Sequence, residues 1–121
     1  MNYANERNCK LYIDAEQTFL QLAIESFAQQ ATHRYNRHEK VIILNGFQCY
    51  LKRMRQLIRD EVACSEALGY NLGVKLIRGA YMNEERAIAA EQGVESPICD
   101  TIQETHASYN ECMTHVLQNL E

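Results

Sequence analysis

The sequence predicts an α/β fold in which the strands of one parallel sheet alternate with helices. Three short apolar runs, at residues 11–13, 41–44 and 72–78, are each followed by a segment with helical periodicity. No tight hairpin turn joins one run to the next, and each intervening segment is long enough for a helical crossover. Strands connected through helices in this way run parallel, with right-handed connections.

The first strand–helix unit begins with the apolar run at residues 11–13, which ends at Asp14. Beyond it, apolar side chains recur every four residues and predict one face of a helix: Phe19, Ala23, Phe27 and Ala31, with Leu20 and Ile24 beside them. The pattern fades near Tyr35, and the polar residues 36–40 predict a loop.

The second unit begins with a continuous run of β-branched residues and leucine at 41–44, which is typical of a strand buried on both faces. Asn45 and Gly46 are predicted to end this strand. The helix that follows has an apolar face opposite a basic, solvated one: Leu51, Met54, Ile58 and Val62 against Lys52, Arg53, Arg55 and Arg59. Gly69 is predicted to close this helix in a left-handed conformation.

The third unit contains the predicted strand 72–78, a short helix at 83–91 that Gly93 closes, and a final helix. Thr101 and Glu104 predict a capping box at the start of the final helix. Its apolar stripe steps by four and three residues, which predicts one packed face: Ile102, His106, Tyr109, Met113, Val116 and Leu120.

Composition narrows the class of protein. The chain has 121 residues, which suits one small domain. Its net charge of −4 argues against a general nucleic-acid binder, because phosphate binding needs a basic surface. The sequence has no run of about 20 apolar residues that would predict a membrane span. Residues 1–10 are polar and resemble neither a secretory signal nor an Arg-rich transit peptide.

The cysteines and histidines predict neither a disulfide framework nor a metal site. The five cysteines are odd in number and form no CxxC pair: Cys9, Cys49, Cys64, Cys99 and Cys112. The four histidines show no HExxH pairing: His33, His38, His106 and His115. Reduced thiols in an intracellular compartment are therefore expected, with no metal ligands.

Three strands alone make an unstable parallel sheet, because both outer strands lack a neighbour and both faces must be packed against helices. The chain shows no shift in composition that would indicate a domain boundary. We therefore expect a segment of a larger α/β domain, with a complete small α/β protein as the alternative.

Polar and charged residues follow the predicted strands at the ends where ligands bind in parallel α/β folds. They are Asp14, Glu16, Gln48, Tyr50, Lys75, Arg78 and Tyr81. Lys75 is the strongest candidate, since a lysine buried in a strand without a partner is costly. Asp14 has the alternative role of a helix N-cap, and Tyr81 that of a packing residue. GxGxxG and GxxxxGK[ST] motifs are absent, so neither a Rossmann turn nor a P-loop is supported.

Four blocks of sequence, in this order and spacing, resemble the proline dehydrogenase family: residues 11–18 (LYIDAEQT), 48–52 (QCYLK), 74–81 (VKLIRGAY) and 85–87 (ERA). The sequence of these blocks is most similar to that of the eukaryotic mitochondrial enzymes, and the hydroxyproline dehydrogenases share much of it. The resemblance implies that residues 1–121 are a partial domain, about three consecutive βα units of a distorted (βα)8 barrel. The family binds FAD at the carboxyl ends of the barrel strands.

The activity that the resemblance implies is oxidation of L-proline to Δ1-pyrroline-5-carboxylate. A hydride passes from C5 of proline to flavin N5, and the electrons then pass to a quinone. The resemblance also implies a mitochondrial location on the matrix side of the inner membrane, with peripheral membrane association of the full-length protein. Hydroxyproline is the alternative substrate.

The resemblance also implies roles for individual residues. Lys75 matches a basic residue near flavin N5, where a cation stabilises negative charge on the reduced ring. Asp14 matches an acid that helps to order the active site, and these two form the catalytic set. Leu76 and Tyr81 match residues that pack on the substrate ring.

The implied cofactor-binding set comprises Ala15, Gln48, Lys75, Ile77, Arg78, Gly79 and Ala80. In this set Gln48 matches an amide that hydrogen-bonds the flavin ring. Residues 78–80 match a turn beside the cofactor, where small residues permit close approach.

The chain departs from the family pattern in two respects. Gly46 stands where a threonine is expected, which predicts looser packing near Gln48. The arginine pair that holds the substrate carboxylate in the family, and an assisting lysine on an early strand, have no match here. A truncated, non-catalytic chain is therefore the alternative to an enzyme segment.

Overall fold

The computed structural model describes residues 1–120. The elements in chain order are α1 (Asn2–Glu6), β1 (Leu11–Ile13), α2 (Thr18–Tyr35), β2 (Ile43–Gln48), α3 (Met54–Leu68), β3 (Val74–Ile77), α4 (Met82–Gln92) and α5 (Ile102–Gln118). The strands form one sheet in the order β1-β2-β3, and both neighbouring pairs are parallel. This confirms the predicted fold class, three consecutive βα units of a (βα)8-type barrel. None of the helices within residues 1–120 is long and apolar enough to cross a membrane.

The predicted end of the second strand is wrong. Asn45 and Gly46 do not end β2, which continues to Gln48 and pairs with both neighbours. Pairing on both sides overrides the local turn preference of these residues. A Cβ at Gly46 would lie 2.9 Å from the Ala15 nitrogen, so the segment after β1 fills the space that a side chain would occupy. The predicted looser packing at Gly46 is therefore also wrong.

The main core lies between the sheet and helices α3 and α5. Its buried members come from the end of β2, α3, the loop before α5, and α5 itself: Phe47, Cys49, Tyr50, Leu51, Met54, Ile58, Ile98 and Cys112. The predicted apolar face of α3 is confirmed for Met54, Ile58 and Val62, which are all buried. Leu51 is also buried, but it lies before α3 and pairs with Ile98, so its predicted place on the helix is wrong. The basic residues opposite are partly paired, as in the Arg53–Glu25 ion pair at 2.6 Å.

The predicted packed faces of α2 and α5 are confirmed only in part: Ala31 on α2 is buried and Tyr109 and Val116 on α5 pack against the main core, but other members are exposed. Phe19 and Phe27 on α2 are 68% and 55% exposed, and Ile102 and Leu120 around α5 are 56% and 65% exposed. The buried positions carry mostly small or polar side chains: Gln21, Ala28, Ala31 and Thr32 on α2, and Thr105, Ser108 and Cys112 on α5. Small side chains allow a helix to lie close to its neighbours, which hydrophobic periodicity alone does not reveal.

The residues predicted to cap the helices do so in the structure. Gly69 and Gly93 close α3 and α4 in the left-handed region, and the Thr101–Glu104 capping box of α5 forms as predicted. The short helix α1 was not predicted. Observed strand and helix ends otherwise differ from the prediction by a few residues, as for β3, which covers Val74–Ile77 and not 72–78.

The edge of the sheet where the strands begin, here called the amino edge, is held by one buried amide. Asn36 is 0% exposed. Its Nδ2 donates to the carbonyl oxygens of Ile43 at 2.8 Å and Asn71 at 2.9 Å. Its Oδ1 accepts from the backbone nitrogens of Ile42 and Ile43, both at 2.8 Å. Asn36 therefore connects the end of α2 to β2 and to the segment before β3.

Candidate active site

The opposite edge, here called the carboxyl edge, brings together the residues that follow the three strands. The segment 14–16 after β1 contacts residues from each of the other two strand units. Asp14 reaches Lys75 on β3, the carbonyl of Glu16 accepts from Gln48 on β2, and the carboxylate of Glu16 accepts from Tyr81. The predicted convergence of these side chains on one edge is confirmed.

Asp14 and Lys75 form an ion pair across β2. Lys75 lies opposite Gly46 in the register, and its Nζ is 2.5 Å from Asp14 Oδ1. The N-cap alternative for Asp14 is wrong, because α2 begins at Thr18 after the N-cap residue Gln17. The Lys75 side chain is 40% exposed and has Asp14 as its partner, which agrees with the expectation that a lysine in this strand is not buried without a partner. The cation is therefore both held in place and open to a ligand.

Gln48 is a buried amide with only half of its hydrogen bonding satisfied. The residue is 1% exposed, and its Nε2 donates to the carbonyl of Glu16 at 2.7 Å. Among residues 1–120, no donor reaches its buried Oε1. Buried polar atoms are usually paired, so this oxygen is free to accept from a donor that residues 1–120 do not supply.

Tyr81 lies at the N-terminal end of α4 and its hydroxyl donates to Glu16 Oε2 at 2.8 Å. This hydrogen bond to the carboxylate raises the pKa of the Tyr81 hydroxyl, because ionisation would place two negative charges together. The ring is half-buried and its position is set by Glu16. The side chain of Leu76 packs against the core cluster. The contacts of Leu76 and Tyr81 with a substrate stay predictions.

The turn at residues 78–80 is shaped by Tyr50. The backbone nitrogen of Tyr50 donates to the carbonyl of Arg78 at 2.7 Å, and its hydroxyl accepts from the nitrogen of Tyr81 at 3.4 Å. Gly79 has φ +138°, and a Cβ there would lie 2.4 Å from atoms of the Tyr50 ring. Gly79 is therefore required by a neighbour within this chain. Burial raises the pKa of Tyr50 to about 12.

The remaining predicted cofactor contacts lie at the same edge. Ala15 is buried against Gly46, Ile77 is half-buried, and Ala80 is exposed. The carbonyl of Ile77 accepts from the nitrogen of Cys49 at 2.7 Å, which ties β3 to the residue after β2. Their predicted contacts with a cofactor stay predictions.

Sequence reasoning missed the residues that hold Arg78. Its Nε lies 3.0 Å from His106 Nδ1, and its guanidinium carbon lies 4.4 Å from the centre of the Tyr109 ring. Both partners belong to α5, which the sequence pattern assigned only to packing. No local signal links residues 28 and 31 positions away from Arg78, so only the folded chain reveals them.

The carboxyl edge therefore offers a paired lysine, a stacked arginine and a buried acceptor oxygen without a donor. Such a set suits a planar polar ligand that has its own N–H donor and carries or develops negative charge.

Comparisons with known proteins bear on the family and the fold of the chain. The sequence pattern of the family described as "Proline dehydrogenase" matches residues 1–121. The human protein named "Proline dehydrogenase 1, mitochondrial" is 41% identical over 118 residues, which cover 98% of this chain and 20% of that protein. The Arabidopsis thaliana protein of the same name is 40% identical over 114 residues, covering 93% of this chain and 23% of that protein. The chain thus spans about a fifth of the length of these relatives.

Solved structures share the fold of the chain. Proline utilization A (PutA) from Bdellovibrio bacteriovorus superposes with a TM-score of 0.90 at 19% identity, over 98% of this chain and 12% of that one. A PutA mutant from Bradyrhizobium japonicum superposes with a TM-score of 0.82 at 24% identity, over 96% of this chain and 12% of that one. The match to the family over all 121 residues, together with the fold, leads to one conclusion: the chain belongs to the proline dehydrogenase family.

Proposed function

We propose that this chain supplies three βα units of a longer, FAD-dependent enzyme that oxidises L-proline to Δ1-pyrroline-5-carboxylate. The observation that carries the proposal is the orphan Oε1 of Gln48 at the carboxyl edge, next to the segment that holds Lys75. Family membership favours proline as the substrate. The activity is assigned to the longer protein, because the chain spans about a fifth of its curated relatives.

The side chains at the carboxyl edge have the hydrogen-bonding groups and charge that a site for FAD requires. Gln48 Oε1 is a buried acceptor without a donor, and the flavin ring carries an N–H donor with neighbouring carbonyl groups. When bound, FAD supplies hydride acceptance at N5 from C5 of proline, with a quinone as the final electron acceptor. Ala15, Ile77 and residues 78–80 complete the proposed contacts of this chain with the cofactor.

Lys75 provides positive charge where the reduced flavin carries negative charge, and Asp14 holds the lysine in place through their ion pair. Tyr81, fixed by Glu16, and Leu76 provide the proposed packing surface for the substrate ring. A fixed cation needs no reorganisation during the reaction, so Lys75 is expected to act on the rate of flavin reduction more than on proline binding.

The proposed location is the mitochondrion, at the matrix side of the inner membrane. The human and Arabidopsis relatives are both named as mitochondrial. Peripheral association of the longer protein with the membrane would bring the reduced enzyme to a membrane quinone.

Rapid-mixing kinetics of the full-length protein test the proposal. Anaerobic mixing with L-proline is expected to bleach the flavin absorbance, and hydroxyproline in a parallel series should bleach it more slowly. Lys75→Ala should lower the reduction rate about 100-fold with a smaller change in proline affinity. The control is Lys40→Ala, which removes an exposed lysine at the amino edge. A wild-type protein that proline does not reduce, or an unchanged rate in Lys75→Ala, would contradict the proposal.

The isolated 121-residue chain provides a second test. It is expected to purify without yellow flavin, because three strands contribute only part of a site that eight strands form in a barrel. Stoichiometric flavin absorbance in the purified chain would contradict this expectation. A full-length reading frame that ends without the remaining strands would favour the truncated, non-catalytic alternative.

A further inference from the structure

Arg78 is the first residue after β3, at the carboxyl edge of the sheet. Its carbonyl is fixed by the backbone nitrogen of Tyr50 at 2.7 Å, but its side chain extends into an exposed position. A free arginine at such a position would sample many rotamers, and ordering it on a ligand would reduce affinity.

Two side chains of α5 remove most of this freedom. The Nε–H of Arg78 donates to Nδ1 of His106 at 3.0 Å, and the guanidinium stacks on the ring of Tyr109 at 4.4 Å. His106 and Tyr109 are three residues apart on a helix, so they lie on the same face. Accepting this hydrogen bond requires the neutral tautomer of His106 with its proton on Nε2.

Tyr109 is itself held in place by the core. Tyr109 is half-buried and packs against the core cluster that contains Ile58 and Cys112. The helix that carries both residues starts with the Thr101–Glu104 capping box. The ring is therefore a rigid platform under the guanidinium and not a second mobile side chain.

The contacts leave the outer end of the arginine available. His106 uses only the Nε–H, and within residues 1–120 the two Nη groups have no hydrogen-bond partner. Arginine has five N–H donors in a planar fork, so four remain for an acceptor group of a ligand. Because one face of the guanidinium stacks on Tyr109 and its Nε–H is bound to His106, the two Nη groups are the part left for a ligand.

We propose that His106 and Tyr109 are positioning residues that hold the Arg78 guanidinium ready for an acceptor group of the flavin cofactor. This inference rests on the proposed function, in which Arg78 belongs to the FAD site. It adds α5 to the parts of the chain that set cofactor affinity, although α5 carries none of the residues proposed to contact the flavin.

Cofactor titration of the full-length apoprotein tests this inference. Tyr109→Leu keeps apolar volume in the core but removes the ring, and should raise the FAD dissociation constant about tenfold. Tyr109→Phe keeps the ring and should stay within about twofold of wild type. His106→Ala should raise the constant about threefold to tenfold by removing the hydrogen bond. The KM for proline should change less than twofold in each variant, because the substrate lies elsewhere at the edge.

The double variant Arg78→Ala/Tyr109→Leu separates positioning from general damage to the fold. If Tyr109 acts through Arg78, the double variant should bind FAD no more weakly than Arg78→Ala alone. The matched control is Tyr3→Leu, which removes another tyrosine under an arginine, Arg7, at a distance of 5.4 Å on α1. This control should leave FAD affinity unchanged.

Two results would overturn the inference. Equal losses from Tyr109→Leu with and without Arg78 would assign Tyr109 to the fold alone, and unchanged affinity in Tyr109→Leu would remove it from the site. In both results wild-type protein still binds FAD, so the proposed function stands. Wild-type protein that binds no FAD would overturn the proposed function and this inference together.

Discussion

Asn36 at the amino edge and Gln48 at the carboxyl edge are both buried amides, and their hydrogen bonds differ. At the amino edge, Asn36 is 0% exposed and both of its polar atoms are fully engaged with backbone groups. At the carboxyl edge, Gln48 is 1% exposed and its Oε1 has no partner among residues 1–120. Of these two equally buried amides, only Gln48 keeps an acceptor oxygen without a donor among residues 1–120, which agrees with the proposed ligand site at the carboxyl edge.

The lysine and arginine side chains at the two edges also differ in their partners. The carboxyl edge exposes the Asp14–Lys75 ion pair and the stacked Arg78. At the amino edge, the guanidinium of Arg37 is used to bind the carbonyls of Leu68 and Gly69, both at 2.9 Å, at the end of α3. At the amino edge Arg37 binds the end of α3 while Lys40 stays exposed, and at the carboxyl edge Lys75 and Arg78 are each held by a side-chain partner and stay partly open to a ligand.

The largest loss of stability is expected from removing the Asn36 amide at the amino edge. Asn36→Leu leaves two buried N–H groups and two carbonyls without partners, which should lower the free energy of unfolding by about 4 kcal/mol. Urea denaturation of the full-length protein measures this loss. A loss below about 1 kcal/mol would mean that water replaces the amide and would remove the contrast between the edges.

The second-largest loss of stability is expected from a change in the turn at residues 78–80 of the carboxyl edge. Gly79→Ala should lower the free energy of unfolding by about 3 kcal/mol, because it adds a clash with the Tyr50 ring to an unfavourable φ. Gly69→Ala is the matched control, since Gly69 also has a positive φ but no atom within 4 Å of its Cβ position. The control should lose only about 1 kcal/mol. Equal losses in the two variants would show that Tyr50 does not shape this turn.

A smaller change in stability, but a clear change in binding, is expected for Gln48→Met. The variant removes one hydrogen bond to the Glu16 carbonyl and also an unpaired oxygen, so the free energy of unfolding should change by less than about 1 kcal/mol. The FAD dissociation constant of the full-length protein should rise at least about tenfold. Gln103→Met, at an exposed position of α5, is the control. Unchanged FAD affinity in Gln48→Met would make the orphan oxygen a feature of packing only.

The smallest effect is a dependence of stability on alkaline pH. The pKa of Tyr50 is about 12 in the folded protein and about 10 in an unfolded chain, so the folded state favours the neutral phenol. Its contribution to stability is complete below pH 10 and is lost as the pH rises from 10 towards 12. Tyr50→Phe should therefore lose less stability over this range than wild type.

Tyr70→Phe gives the same comparison at the amino edge, where burial also raises the pKa of Tyr70. Melting temperatures between pH 9 and 11 measure both effects. Parallel curves for wild type and Tyr50→Phe would show that the phenol is not shielded from water.

Features that depend on neighbouring residues in the sequence were predictable. The strand–helix alternation, the glycine caps at 69 and 93, and the Thr101–Glu104 capping box each follow from contacts within a few residues. The positions of Asp14, Gln48 and Lys75 after or within strands were also enough to predict one shared edge, because parallel strands end on the same side.

Features that depend on distant partners were not predictable. Asn36 and Asn71 are 35 positions apart, and Asp14 and Lys75 are 61 apart, so no local pattern reveals these pairs. The packed faces of α2 and α5 follow the size of side chains at close contacts, which periodicity of hydrophobic residues does not report. Gly46 reads locally as a turn residue, yet its role is to make room for Ala15.

The most direct test of the central claim, that the carboxyl edge binds flavin, is a crystal structure of the full-length protein with FAD. The structure should place an N–H of the flavin ring about 3 Å from Gln48 Oε1, with Lys75 still paired to Asp14 at the same edge. A flavin bound elsewhere, or a Gln48 Oε1 that faces only protein or water while FAD is bound, would contradict the account.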